Sequence, residues 1–255
     1  MSFLKKYLPL LVTLIFLIIL ELIKFYPFLI YWLVPLLFLS LFFFLWFFSQ
    51  RKIDKKFLSL AICPFFFILA LLFFFVVLTP QHLFLVQIYI LFASCLLYFL
   101  LKNLSLYLIK GEASLPTSLV NIIFFFNLLS VFLFFSSFYS LAIFPYLTFW
   151  LIELAIIIII SAIVYQIFWI YGFLTPKNVL FILVITLVLA ELFLAIYFLP
   201  TSFYVNALFL TIFYYLLIDI SYFFLLGKLN SKIIRSHFLI IFFILLVIIL
   251  TMHWG

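Results

Sequence analysis

Apolar runs about as long as a membrane is thick are the feature that most constrains this chain. Residues 57–101 contain no Lys, Arg, Asp or Glu. A hydrocarbon core of about 30 Å takes roughly 20 residues of α-helix, so this run is long enough for two crossings, separated by a break at residues 79–82. Hydrophobic residues make up 72% of the chain and charged residues 7%, whereas soluble domains carry about a quarter charged residues. The sequence therefore predicts a chain embedded in lipid.

Breaks at charged residues, Pro, Asn and Gly divide the chain into nine predicted spans. Strands are excluded because the apolar runs are continuous, whereas membrane strands alternate in runs of about ten residues. The predicted helices cover residues 7–24, 28–50, 57–78, 83–101, 118–138, 147–171, 179–199, 207–226 and 238–254. The fold class expected is an all-α, polytopic transmembrane helical bundle that forms a single domain over residues 1–255, with no soluble domain. The first span is short, and it is read as retained because no small-residue cleavage site follows it.

The distribution of basic residues predicts the orientation of the bundle. With the N-terminus inside and the C-terminus outside, the cytoplasmic segments hold all of the 13 basic residues except Lys24. Such an excess is typical of the cytoplasmic loops of membrane proteins. The five tryptophans also fall near predicted span ends, where aromatic belts lie. We expect an integral protein of the cytoplasmic (plasma) membrane with this orientation.

Two basic segments are expected to contact anionic lipid headgroups. Lys and Arg close to an anionic membrane surface gain about 1 kcal/mol each. The residues concerned are Arg51, Lys52, Lys55, Lys56, Lys228, Lys232 and Arg235. This attraction and the orientation explain the net charge of +7, and no Arg-rich, aromatic-interleaved patch predicts a nucleic-acid partner. The expected partners are membrane lipids and a possible protein within the membrane.

Motifs for chemistry inside a membrane are absent from the sequence. It contains neither a GxSG turn nor an HExxH pair, which serine and zinc proteolysis would need. Every Lys is at a span end or in a loop, so a retinal Schiff base is not expected. Cys63 and Cys95 lack a second Cys or His at metal-ligand spacing. We therefore predict no catalytic residue, no cofactor and no metal, and we favour a protein that is not an enzyme.

Acidic residues inside the predicted spans are the exception, because ionisable groups are costly in lipid and mark function by default. Glu153 and Glu191 both lie roughly 9 to 12 Å from the outer ends of neighbouring helices. If they face each other, repulsion in a low dielectric should make them share a proton. Asp219 lies about 10 Å from the inner end of its helix. No basic residue is expected to reach these three acids.

These acids leave two readings of function open. In the first, polar side chains line a path for protons and the chain is a small proton-coupled transporter. The candidate path residues are Gln87, Asn127, Glu153, Glu191, Tyr215 and Asp219. In the second, the same side chains form interhelical hydrogen bonds of about 0.6 kcal/mol each that hold the bundle together. The second reading predicts a non-enzymatic structural or accessory membrane subunit, and the sequence favours it because no span contains glycine for alternating access.

Overall fold

The chain is helical throughout the part that the computed structural model describes. The described residues are 2–49, 55–79, 83–110, 116–142, 149–175, 178–199 and 201–251. In these ranges the chain forms nine α-helices and no strand, as the continuous apolar runs predict. The helices are α1 (Ser2–Phe25), α2 (Ile30–Phe48), α3 (Lys55–Leu78), α4 (Leu83–Lys110), α5 (Thr117–Leu141), α6 (Phe149–Ile170), α7 (Val179–Tyr197), α8 (Phe203–Leu225) and α9 (Ser231–Thr251).

Helices α1 to α8 are each long and apolar enough to cross a membrane, which makes 8 candidate spans among the described residues. The span in α1 covers Tyr7–Phe25, so the first predicted span has full length. The chain is an integral membrane protein. Helix α9 corresponds to the ninth predicted span, and the side chains of its second half are largely outside the described set, so the count of nine spans stays a prediction.

Two predicted helix bounds are wrong by seven residues or more, and both ends carry basic residues. Helix α4 does not end near residue 101 but continues to Lys110, because Leu104 and Tyr107 continue its buried face at helical spacing. Helix α9 begins at Ser231, two turns before its predicted start. Lys232 and Arg235, which were predicted to lie in a loop, therefore lie in the first turns of a helix.

The chain divides into two compact units, Met1–Asn127 and Leu128–Gly255. In the first unit, α1 packs against α2 and α4, and α3 packs against α4. Phe16, Phe44 and Phe67 are fully buried there, and the Phe67 ring meets Phe126 of α5 edge-on at 4.8 Å. Large aromatic side chains thus fill this core without glycine in any helix, and they hold the helices together by van der Waals packing.

In the second unit, α7 packs against both α6 and α8, and α9 packs against α8. The core residue Phe193 of α7 is fully buried. Tyr139 stacks on the Phe193 ring at 4.2 Å, and its hydroxyl donates a hydrogen bond to the Phe193 carbonyl at 3.1 Å. This contact joins the end of α5 to the last turns of α7.

Glycine ends two of the helices in the second unit. Gly172 follows α6 with φ +72 and Gly227 follows α8 with φ +65, the left-handed conformation that favours glycine. After α6, the Phe173 amide donates to the Phe168 carbonyl at 2.9 Å, and the same pattern closes α8. These caps satisfy terminal carbonyls and stop α6 and α8 close to a cluster of polar side chains.

Candidate functional site

Glu21, Lys24 and Gln87 form a polar network in the first unit. The Lys24 ammonium donates to Gln87 Oε1 at 2.9 Å, and Gln87 Nε2 donates to Glu21 Oε1. Lys24 Nζ also lies 4.0 Å from Glu21 Oε2. The Lys24 side chain is only 12% exposed, so the amide and the carboxylate together compensate a nearly buried charge. The network ties α1 to α4.

This network gives Gln87 a local partner. The structure pairs Gln87, a candidate path residue, with two side chains of α1, whereas the Ser94 hydroxyl of α4 donates to the Ile90 carbonyl of its own helix at 2.8 Å. Lys24 is the single basic residue that the predicted topology leaves outside. In the structure the Lys24 ammonium lies 4.0 Å from the carboxylate of Glu21, which is one helical turn earlier in α1.

Glu153 and Glu191 have different surroundings in the second unit. One carboxyl oxygen of Glu153, Oε2, is buried without a hydrogen-bond partner. Glu191 lies on the exposed face of α7, whereas its neighbours Leu189, Ala190 and Phe193 are buried. A shared proton between Glu153 and Glu191 therefore stays a prediction.

Asp219 has a partner that the sequence reasoning missed. His237 Nε2 of α9 lies 3.0 Å from Asp219 Oδ2 of α8, and the two side chains are 21% and 23% exposed, respectively. The expectation that no basic side chain reaches Asp219 is therefore wrong. A simple signal could have found the pair. Asp219 lies six residues before the end of α8 at Leu225, and His237 lies six residues after the start of α9 at Ser231. Because the two helices form a hairpin, residues at equal distances from the turn lie at the same depth.

Aromatic side chains surround this pair. The Phe223 ring lies 5.9 Å from the imidazole of His237, and the rings of Tyr171 and Tyr222 are 4.6 Å apart. Burial raises the pKa of the Tyr171 phenol to about 12, with Tyr222, Asp219 and Tyr215 adding to the shift. The Tyr171 phenol consequently remains protonated at neutral pH.

The other two candidate path residues are Asn127 and Tyr215. Asn127 is fully buried in α5, and Tyr215 is half-buried on α8, one turn from Asp219. The hydroxyls of Thr186 and Thr211 donate to carbonyls of their own helices. The polar path through all six residues stays a prediction.

Three of the predicted headgroup residues, Lys228, Lys232 and Arg235, are exposed around the turn between α8 and α9. Lys55 and Lys56 begin α3, but their side chains are outside the described set, as are Arg51 and Lys52 altogether. Contact with headgroups stays a prediction for both segments.

No three His, Cys, Asp or Glu side chains come together to hold a metal ion among the described residues. Cys63 is buried and Cys95 is exposed, and both thiols are free. Cavities of about 380 Å³ between α2 and α3 and about 250 Å³ between α1 and α2 have no acidic side chain in their lining. The described residues therefore offer polar contacts between helices.

The chain matches no protein-family model, and comparisons with curated proteins and with solved structures find no match.

Proposed function

We propose that this chain is a non-enzymatic structural or accessory subunit that acts through contacts with lipids and with a protein in the same membrane. The observation that carries the proposal is the local partner that two of the membrane acids have. Glu21 pairs with Lys24 and Gln87, and Asp219 pairs with His237. Glu191 is exposed on its helix. A proton path needs ionisable groups that approach one another, whereas hydrogen bonds that hold helices together need only local partners.

Assembly in the native membrane tests the proposal. A tagged copy of the full chain, extracted in mild detergent and separated by native electrophoresis, should migrate in an assembly that contains a second polypeptide in fixed ratio. A triple variant, E153Q, E191Q and D219N, should keep this assembly, because the proposal gives the charges of these acids no role in partner contact. A band that contains this chain alone would contradict the accessory role.

The proton-coupled carrier is tested separately in proteoliposomes that enclose a pH-sensitive dye. With an imposed pH gradient and potassium diffusion potential, the wild-type chain should dissipate the gradient no faster than protein-free vesicles. The triple variant provides the matched control, with helix content checked by circular dichroism. Proton flux in the wild type that disappears in the triple variant would favour the carrier and oppose our proposal.

We further propose nine spans with the N-terminus in the cytoplasm, and contact of the two basic segments with anionic headgroups of the plasma membrane. The asymmetry of basic residues supports this orientation. Exposure of Lys228, Lys232 and Arg235 at the turn between α8 and α9 supports headgroup contact. Replacement of all basic residues of both segments by Gln should weaken the fidelity of insertion. Unchanged topology in that variant would show that hydrophobic length alone decides orientation.

A further inference from the structure

Helix α9 packs against α8 in the second unit. Phe238, Leu239 and Phe242 leave roughly half of their surface exposed. A polar contact between two membrane helices contributes about 0.6 kcal/mol on average and up to about 1.7 kcal/mol. A polar contact near the start of α9 is therefore large enough to influence how this helix docks against α8.

The contact between Asp219 and His237 lies at that position. The Nε2–Oδ2 distance of 3.0 Å is that of a hydrogen bond, and the two residues reach the same depth, about 9 Å from the turn at 1.5 Å per residue. When the imidazole carries a proton, the hydrogen bond joins opposite charges and is roughly twice as strong as one between neutral groups. When the imidazole is neutral, the Asp219 carboxylate loses its counter-charge next to lipid.

The titratable and charged groups near Asp219 and His237 lie on α8, on α9 and just after α6. Tyr215 and Tyr222 belong to α8 itself, and Tyr171 follows α6. The inner half of α7, residues 178–189, has no titratable side chain. On α9, Lys232 and Arg235 are exposed. Among these residue types, histidine is the one whose side chain changes charge between about pH 5 and 8.

We propose that Asp219 and His237 form a proton-binding site that sets the docking of α9 against α8. Protonation of the imidazole creates the ion pair and tightens the hairpin. Loss of this proton at higher pH removes the ion pair and loosens the hairpin. The position of α9 against α8 therefore depends on the pH at the membrane face where the turn between these two helices lies.

Spin-label distances test this site in the full chain, reconstituted in nanodiscs so that both membrane faces have the same pH. Labels on L208C and L246C report the separation of α8 and α9 far from the turn, since both positions are exposed. The native thiols are removed as C63A and C95A. We expect a narrow distribution at pH 6 and, at pH 8.5, a ratio of docked to undocked forms lowered about fivefold, the lower end of typical couplings between linked sites.

Two variants and one control make the outcome specific. D219N and H237Q should each abolish the pH response between pH 6 and 8.5, whereas H82Q, which removes a histidine of the first unit, should retain it. A wild-type distribution that is the same at both pH values would overturn the proposal, as would an unchanged response in H237Q. Because both faces share one pH, neither result depends on the proposed orientation.

Discussion

Removal of the Gln87 amide should measurably weaken the association of α1 with α4. Gln87 accepts a hydrogen bond from Lys24 and donates one to Glu21. Gln87→Met preserves the length of the side chain and removes both bonds. Lys24 and Glu21 then keep their direct contact of 4.0 Å, and the Lys24 ammonium keeps its position over the Phe25 ring at 5.4 Å.

The expected loss follows from the energies of such bonds. Interhelical hydrogen bonds between membrane helices average about 0.6 kcal/mol and reach about 1.7 kcal/mol. Two average bonds give about 1.2 kcal/mol, and the burial of Lys24, at 12% exposure, makes this a lower limit. A difference of this size changes the ratio of folded to unfolded chain by nearly tenfold.

Unfolding by SDS in mixed micelles, followed by tryptophan fluorescence, measures this difference. Ser94→Ala is the matched control, because it removes a hydrogen bond within α4 alone and should change stability by less than about 0.5 kcal/mol. On a background of Glu21→Leu and Lys24→Leu, Gln87→Met should no longer destabilise the chain. A Gln87→Met variant as stable as the wild type, or an equal loss on that background, would refute the network.

The same unfolding assay tests three further expectations. Glu153→Met should stabilise the chain by about 1–3 kcal/mol, because it removes a buried carboxyl oxygen without a partner; a loss of stability would mean that this oxygen is satisfied. Tyr139→Phe should lower stability by about 0.6 kcal/mol, because the hydrogen bond to the Phe193 carbonyl is lost while the ring stacking stays. A loss above about 2 kcal/mol would mean that the hydrogen bond contributes more than is usual between membrane helices. Gly227→Ala should cost about 1–2 kcal/mol because φ is +65, and a neutral effect would argue against the left-handed cap.

The spans were predictable because hydropathy alone determines them. Each apolar run satisfies its own backbone only as a helix, so most predicted and observed bounds differ by a few residues. The exceptions are ends where charge was taken as a break. Lys102 is exposed on α4 while Leu104 continues the buried face, so a charged residue there marks the outer face of a helix that continues.

Side-chain partners were harder to predict because they depend on which helices pack together. The pairing of Gln87 with Glu21 requires contact between α1 and α4, which are not adjacent in the chain. Asp219 and His237 are on adjacent helices, and their equal distance from the turn was available in the sequence. Their pairing was missed because the predicted start of the last helix placed His237 in a loop.

The orientation of the two termini tests the account most directly, since the lipid contacts and the asymmetry of charge both depend on it. A reporter that is active only outside the cytoplasm, fused after Gly255, should be active, and the same reporter placed between Lys52 and Ile53 should be silent. A matched cytoplasmic reporter should give the opposite pattern at both sites. A cytoplasmic signal after Gly255 would contradict nine spans and show that one helix, either α1 or α9, does not cross the membrane.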